Sequence, residues 1–211
     1  MTKHIGILGG TFDPVHNGHI ACADYVQQNC NLDSVRLMPC HLPPHRATPG
    51  VSAAQRAAMV QLAIANYPKL ALETLELDKH NPSYTVDSLQ LLTQRDTDSR
   101  FYFIIGMDSL CYFRQWKNWQ SILTLAHLLV CQRPGYQATD GDAPVLLQQY
   151  GVNDISALQR SPAGNILLLN NPLTDISATS IRSQLLSGDT DNSTLDPAVL
   201  NYIRLQQLYQ S

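Results

Sequence analysis

No apolar run among the 211 residues approaches the length needed to cross a bilayer, so no membrane-spanning helix is expected. Charge of one sign is not in excess either. Lys and Arg total 14 against 17 Asp and Glu, a net charge of -3. This balance argues against a nucleic-acid-binding or membrane-surface protein, and any anion must be held by local groups. Cysteine is present but lacks any paired pattern. The five, Cys22, Cys30, Cys40, Cys111 and Cys131, are odd in number and lack the paired spacing of a zinc ribbon, so they read as reduced thiols. Repeats, linkers and low-complexity tracts are missing, and an apolar fraction of 44% gives no case for disorder. The residues after Met1 enter a short strand without the apolar core of a signal peptide, so a cytoplasmic location is expected. A chain of this length suits one domain, 1–211, rather than two.

What is present is concentrated in Gly9-Gly10-Thr11-Phe12-Asp13-Pro14-Val15-His16-Asn17-Gly18-His19. An apolar run, Ile5 to Leu8, precedes it and helical periodicity follows from near Ile20, so it reads as strand, glycine turn and helix start. Gly9 and Gly10 would let the backbone turn sharply and bring its N–H groups close to a ligand. Asp13 before Pro14 favours an extended conformation, delaying the helix until Asn17, a good N-cap. Unpaired N–H groups and the positive dipole end of that helix make an anion site. His16 and His19, three apart, can project toward one bound group, and Gly18 removes a side chain that would block it. Surface histidines, or zinc ligands at short spacing, are the competing readings; zinc would need partners among His41, His45, Cys22, Cys30 and Cys40.

Further along, strands are expected over Ser34–Met38, Leu70–Leu77, Phe101–Ile105, His127–Cys131 and Ile166–Leu169. The helices expected between them are Ala53–Asn66, capped by Ser52 with Gln55 three residues on, Thr85–Gln94, and a short one near Val145–Gln149. Ser177 caps a helix to Leu186, and Pro197 opens a final amphipathic one. The prolines between Cys40 and Gly50 make that segment an irregular loop, and residues 78–83 read as a turn-rich bridge. Tyr136 to Gly164 carries no chemistry that can be assigned. Alternating strands and helices predict an α/β fold: a single Rossmann-like domain with a parallel sheet flanked by helices on both faces. Arg133, just past a strand's carboxyl end, lies where open α/β sheets bind ligands.

Gly10-Thr11-Phe12-Asp13-Pro14 with His16-Asn17-Gly18-His19 resembles the signature of the nucleotidyltransferase superfamily. Ile176-Ser177-Ala178-Thr179-Ser180-Ile181-Arg182 resembles its second motif, with Ala178 at a small-residue position. Within the superfamily, Pro43-Pro44-His45-Arg46, Ser83-Tyr84-Thr85, Gly106-Met107-Asp108, Trp116 and Arg133-Pro134-Gly135 resemble the bacterial nicotinate mononucleotide adenylyltransferases. The resemblance implies that ATP binds through Gly9, Gly10, Thr11, Phe12, Gly18, Gly106, Asp108, Ser177 and Thr179, with His16, His19 and Arg182 catalytic. It implies His45, Arg46 and Arg133 for the phosphate of nicotinate mononucleotide, and Thr85 and Trp116 for its ring and carboxylate. It also implies Mg2+ carried mainly by ATP phosphates and water, with no protein metal cage. Lys117 departs from the family pattern, which often has a second aromatic there; Trp119 stands nearby.

A dehydrogenase would need the full G-x-G-x-x-G fingerprint and an acidic residue ending the second strand, which Gly9-Gly10 and Asp13-Pro14 do not supply. A catalytically silent nucleotide-binding module would have little use for both histidines and Arg182. Within the enzyme class, a sibling acting on phosphopantetheine or a polyol phosphate remains the alternative.

Overall fold

The computed structural model describes residues 2–41, 51–77, 84–188 and 192–210. In chain order the elements are β1 (Lys3–Gly10), α1 (Asn17–Asn29), β2 (Ser34–Pro39), α2 (Ala53–Ala63), β3 (Leu70–Leu72), α3 (Thr85–Arg95) and β4 (Ser99–Gly106). There follow α4 (Met107–Leu110), a 3-10 turn over Phe113–Gln115, α5 (Trp119–Leu125), β5 (Ala126–Cys131), α6 (Ala143–Tyr150) and β6 (Gly151–Val152). The chain closes with α7 (Ile155–Leu158), β7 (Ile166–Leu168), α8 (Ala178–Leu186) and α9 (Pro197–Leu205).

Among the described residues the strands form one seven-stranded sheet in the order β3-β2-β1-β4-β5-β7-β6, and every adjacent pair runs parallel. From β1 the chain builds outward to β3, returns to the other side of β1 with β4, and continues in the opposite direction. That reversal leaves a crevice outside the carboxyl ends of β1 and β4, the place where such sheets bind ligands.

Burial explains the strands. All six residues of β5 are buried, as are Phe101–Ile105 of β4, the pattern of strands covered on both faces. Their side chains alternate between two apolar clusters. Leu8, Tyr102, Ile104 and Leu129 meet Ile20 and Val26 of α1, Met59 of α2 and Val199 of α9. Ile5, Ile7, Phe103 and Val130 meet Leu89 of α3, Ile122 of α5 and Leu146 of α6. Helices therefore cover both faces, as the alternation of elements predicted. Val86, Leu89 and Leu92 anchor α3, each contributing about 1.5–3 kcal/mol on burial. By contrast, the exposed Lys117–Asp87 ion pair beside that helix (2.9 Å) contributes under about 1 kcal/mol. One polar residue sits inside β5. The His127 ring is fully buried, contacts the Ser161 carbonyl through Nε2 (3.1 Å), accepts from the Asn165 N–H at Nδ1 (3.2 Å) and stacks on Tyr102.

Several boundaries differ from the sequence reading. Gly9 and Gly10 do not form the turn; they extend β1, opposite Met38 and Pro39 of β2, and the chain leaves the strand at Thr11, with Phe12 at a φ of 50°. The strand expected to reach Leu77 stops at Leu72: the Glu73 N–H still donates to the Leu37 carbonyl (2.9 Å), and the chain then turns, Leu77 N–H donating to Thr74 O. α2 ends at Ala63 and β7 at Leu168, each earlier than expected, and the two-residue β6 was not anticipated. The loop after Cys40 and the bridge at 78–83 fall largely or wholly outside the described residues.

Candidate active site

The first motif is organised by its two histidines. His16, and not Asn17, is the N-cap of α1; its N–H donates to His19 Nδ1 (3.3 Å). The side chain at the third helical position thus reaches back to the cap, as in a capping box. The rings stack with centroids 3.7 Å apart, and Phe12 meets His19 edge-on at 5.0 Å. Gly18 makes the stack possible, since a Cβ there would lie 3.1 Å from His16 Nδ1. Gly10 has a similar duty, a Cβ being 3.0 Å from the Phe12 ring. The glycines of this motif therefore admit rings rather than bend the chain.

His16 is buried, 6% exposed, and its Nδ1 has no hydrogen-bond partner among the described residues. Burial first, and the Arg133 guanidinium second, push its pKa down to about 4. The ring is neutral near pH 7, and its Nδ1 is the kind of orphaned buried polar atom that a ligand satisfies. It lines a cavity of about 350 Å³ with Gly18, His19, Gly106, Arg133 and Thr174. Gly106 ends β4, and Cys131, two residues before Arg133, ends β5, so the cavity occupies the carboxyl-end crevice. A second depression, about 430 Å³, is lined by Gln27, Asp33 and Lys69, but it lies at the opposite end of the sheet, where β2 and β3 begin.

The second motif docks on the first. Ser177 caps α8, accepting from Ser180 N–H (3.1 Å). From α8, Arg182 donates to the Asp13 carbonyl (2.7 Å) and to Thr179 Oγ1 (3.3 Å). The Asp13 side chain accepts from Tyr209 O–H (2.7 Å). Residues 169 positions apart are thereby locked together. On the other side of the motif, Arg56 of α2, only 1% exposed, donates to the Thr11 carbonyl (2.7 Å) and the His41 carbonyl (3.3 Å). Sequence reasoning missed both Arg56 and Tyr209. Arg56 had a signal: helical spacing places it on the same face as Met59 and Val60, where a charge needs a reason to be.

Asp108 lies over Gly106, where a Cβ would clash with its carboxylate, and faces Arg133 Nε at 3.8 Å. Trp116 lies apart from the histidines. Its ring meets Phe103 edge-on at 6.3 Å, and Phe103 in turn lies 3.4 Å from where a Gly9 Cβ would be. Thr85 opens α3, and the cavity lining includes Arg133 but neither Thr85 nor Trp116. Lys117 is committed elsewhere, 2.9 Å from Asp87 and 4.4 Å over the Tyr84 ring. Trp119 packs on Phe113 and Tyr150, so it does not extend the Trp116 surface. His45 and Arg46 lie outside the described residues. Among the described residues no group of three or more His, Cys, Asp or Glu is placed to hold a metal, and no helix is long and apolar enough to cross a membrane.

A family model described as Cytidylyltransferase-like matches residues 7–184. A protein of Shewanella frigidimarina is 42% identical over 98% of this chain and 99% of its own length. One of Cronobacter sakazakii is 43% identical over 100% and 99%. Both carry the name "Probable nicotinate-nucleotide adenylyltransferase". Among solved structures, the fold is similar to that of Plasmodium falciparum nicotinic acid mononucleotide adenylyltransferase complexed with NaAD. The TM-score is 0.73 at 20% identity, over 98% of this chain and 97% of that one. The same enzyme complexed with APC gives a TM-score of 0.70 at 20% identity, with the same coverage.

Proposed function

Because the chain belongs to the cytidylyltransferase-like family, we propose that it transfers the adenylyl group of ATP to nicotinate mononucleotide, forming deamido-NAD and pyrophosphate in NAD biosynthesis. The names of its full-length relatives support this substrate pair. The observation that carries the chemistry is His16, a neutral, buried ring whose Nδ1 has no partner among the described residues, stacked on His19 in a cavity shared with Arg133.

In this reading ATP lies along Gly9, Gly10, Thr11 and Phe12 and beside Gly18, with His16 and His19 on its phosphates. Ser177 and Thr179 present the start of α8 to the triphosphate, and Arg182 offers it the donors not used on Asp13. Gly106 and Asp108 flank the nucleoside. An oxygen of the mononucleotide's 5'-phosphate attacks the α-phosphorus in line, the bond to the bridging oxygen breaks, and pyrophosphate leaves. No protein nucleophile is required, so positioning and charge stabilisation supply the catalysis. His45, Arg46 and Arg133 receive the attacking phosphate, Thr85 the nicotinate carboxylate and Trp116 the ring. The donor set fits a magnesium ion bound mainly by ATP phosphates and water; Asp108 would touch that ion's water shell or a ribose hydroxyl, and the ion would supply positive charge to the triphosphate. Five thiols, none in a disulfide, support a reducing, cytoplasmic setting.

The test is pyrophosphate release from ATP and Mg2+ with a panel of acceptors: nicotinate mononucleotide, nicotinamide mononucleotide, phosphopantetheine and a polyol phosphate. Release with the first acceptor is expected. Release only with phosphopantetheine or a polyol phosphate would move the chain to a sibling activity, and none with folded protein would remove the enzymatic reading.

A further inference from the structure

Two thiols that adenylyl transfer does not use stand side by side on the cavity wall. Cys22 lies on α1, one turn beyond His19, and Cys131 ends β5; their Sγ atoms are 3.3 Å apart although 109 positions separate them in sequence. Both line the cavity with His16, His19 and Arg133. We propose that Cys22 and Cys131 are an oxidation site, which a peroxide joins in an intramolecular disulfide that reversibly suppresses turnover. The disulfide rests on the proximity of the two sulfurs, whereas its effect on turnover rests on the function proposed above.

Geometry selects this pair. A disulfide requires the sulfurs to close from 3.3 Å to about 2.05 Å, a movement of side-chain scale. The other thiols are set apart: Cys30 is fully buried and pushed by burial to about 12, Cys111 is buried against the Gln137 carbonyl, and Cys40 contacts Thr11 Oγ1. Cys22 is the partly exposed member of the pair. The hydrogen bond with Cys131 holds the Cys22 thiol below the usual range, burial opposes this, and the Arg133 guanidinium adds to it; Cys131 is pushed up. Cys22 is thus the sulfur that ionises first, and the thiolate is the nucleophile in such reactions.

The steps balance. The Cys22 thiolate attacks one peroxide oxygen, the O–O bond breaks, and the leaving hydroxide takes a proton to become water. Cys22 is then a sulfenic acid, oxidised by two electrons, and the peroxide is reduced. The Cys131 sulfur attacks Cys22, the S–O bond breaks, and the departing hydroxide leaves as water with the Cys131 proton. One peroxide and two thiols give one disulfide and two waters. Since Cys22 follows His19 by one helical turn, drawing it toward β5 displaces the phosphate-binding end of α1.

The experiment treats the reduced full-length protein with hydrogen peroxide, blocks the remaining thiols by alkylation and maps peptides without reduction. A Cys22–Cys131 linkage is expected, with Cys30, Cys40 and Cys111 alkylated. Pyrophosphate release with nicotinate mononucleotide should be lost in proportion to the linkage and restored by dithiothreitol. Cys22→Ser and Cys131→Ser, each compared with its own untreated rate, should keep their turnover through the same exposure. Recovery of both cysteines in alkylated form, linkage to other cysteines, or linkage with turnover unchanged would overturn the proposal. A reduced protein without turnover would count against the functional reading instead, and the peptide map alone would then decide the disulfide.

Discussion

His16 combines burial that favours the neutral ring with a place on the cavity that, in the proposed reading, receives a polyanion. Its pKa of about 4 should rise when a triphosphate brings negative charge to Nδ1, since opposite charge favours the ionised form. Histidine NMR signals followed against pH, with and without ATP, should show this rise; an unmoved titration would place the triphosphate elsewhere. In the proposed reading each ring donates to developing charge, so His16→Ala and His19→Ala should each lower kcat by roughly 10²-fold with the circular-dichroism spectrum unchanged. Near-normal turnover in either variant would make that ring architectural. In the proposed reading Thr85 carries the choice of acceptor. Donors that suit a carboxylate leave buried groups unpaired against a carboxamide. The ratio of kcat/KM for nicotinate over nicotinamide mononucleotide should therefore be at least ~10² and should shrink in Thr85→Val. Lys117, tied to Asp87 and Tyr84, should not contribute to that ratio.

At the level of elements, the first motif is held between two helices distant in sequence. Arg56 fastens α2 to the Thr11 carbonyl, and Arg182 fastens α8 to the Asp13 carbonyl, each at 2.7 Å. Both arginines reach the two carbonyls that flank Phe12, whose ring fixes Gly10 and touches His19. Arg56→Met keeps most of the side chain's length but leaves two carbonyls without their donor. Hydrogen bonds to charged groups contribute about 1.5–3 kcal/mol, so urea denaturation should show a loss of roughly that size. Steady-state kinetics should show a drop in kcat/KM beyond what unfolding explains, because the motif is no longer clamped. A variant with wild-type kinetics and only lower stability would confine Arg56 to the fold.

Across the whole molecule, two buried histidines link stability to pH. His16 and His127 are both pushed from 6.5 to about 4, chiefly by burial. The unfolded chain therefore binds more protons than the folded one between these values, and stability rises with pH through that window. It is fully present above about 6.5 and falls as the pH drops toward 4, by up to roughly 3 kcal/mol for each ring. Carboxylates add their own loss at lower pH. Burial pushes Glu73 up, but Arg95 and Arg36 outweigh it and hold the carboxyl below its usual range, as hydrogen bonds from Arg95 and Arg36 do for Asp96. Urea midpoints measured from pH 7.5 to 5 should thus report mainly the histidines, and a flat profile there would contradict their burial. His127→Gln should remove part of the slope without touching the cavity.

Local sequence determined the element types. Continuous apolar runs make β4 and β5 strands buried on both faces, and Ser52 with Gln55, or Ser177 before Ser180, satisfies helix N–H groups within one turn. The same locality made Gly10 to His19 and Ile176 to Arg182 readable as a candidate anion site, because both stretches are contiguous residues at helix starts. Features that depend on partners far along the chain were not legible. Gly9 and Gly10 belong to β1 because β2 pairs with them. β3 stops early because the chain turns over 74–77, and a three-residue strand carries too little periodicity to set its own end. Arg56, Tyr209 and the Cys22–Cys131 contact join residues 45, 196 and 109 positions apart. Hydrophobic patterning specifies which face of an element is buried, but only the packed sheet brings two distant side chains within hydrogen-bonding reach.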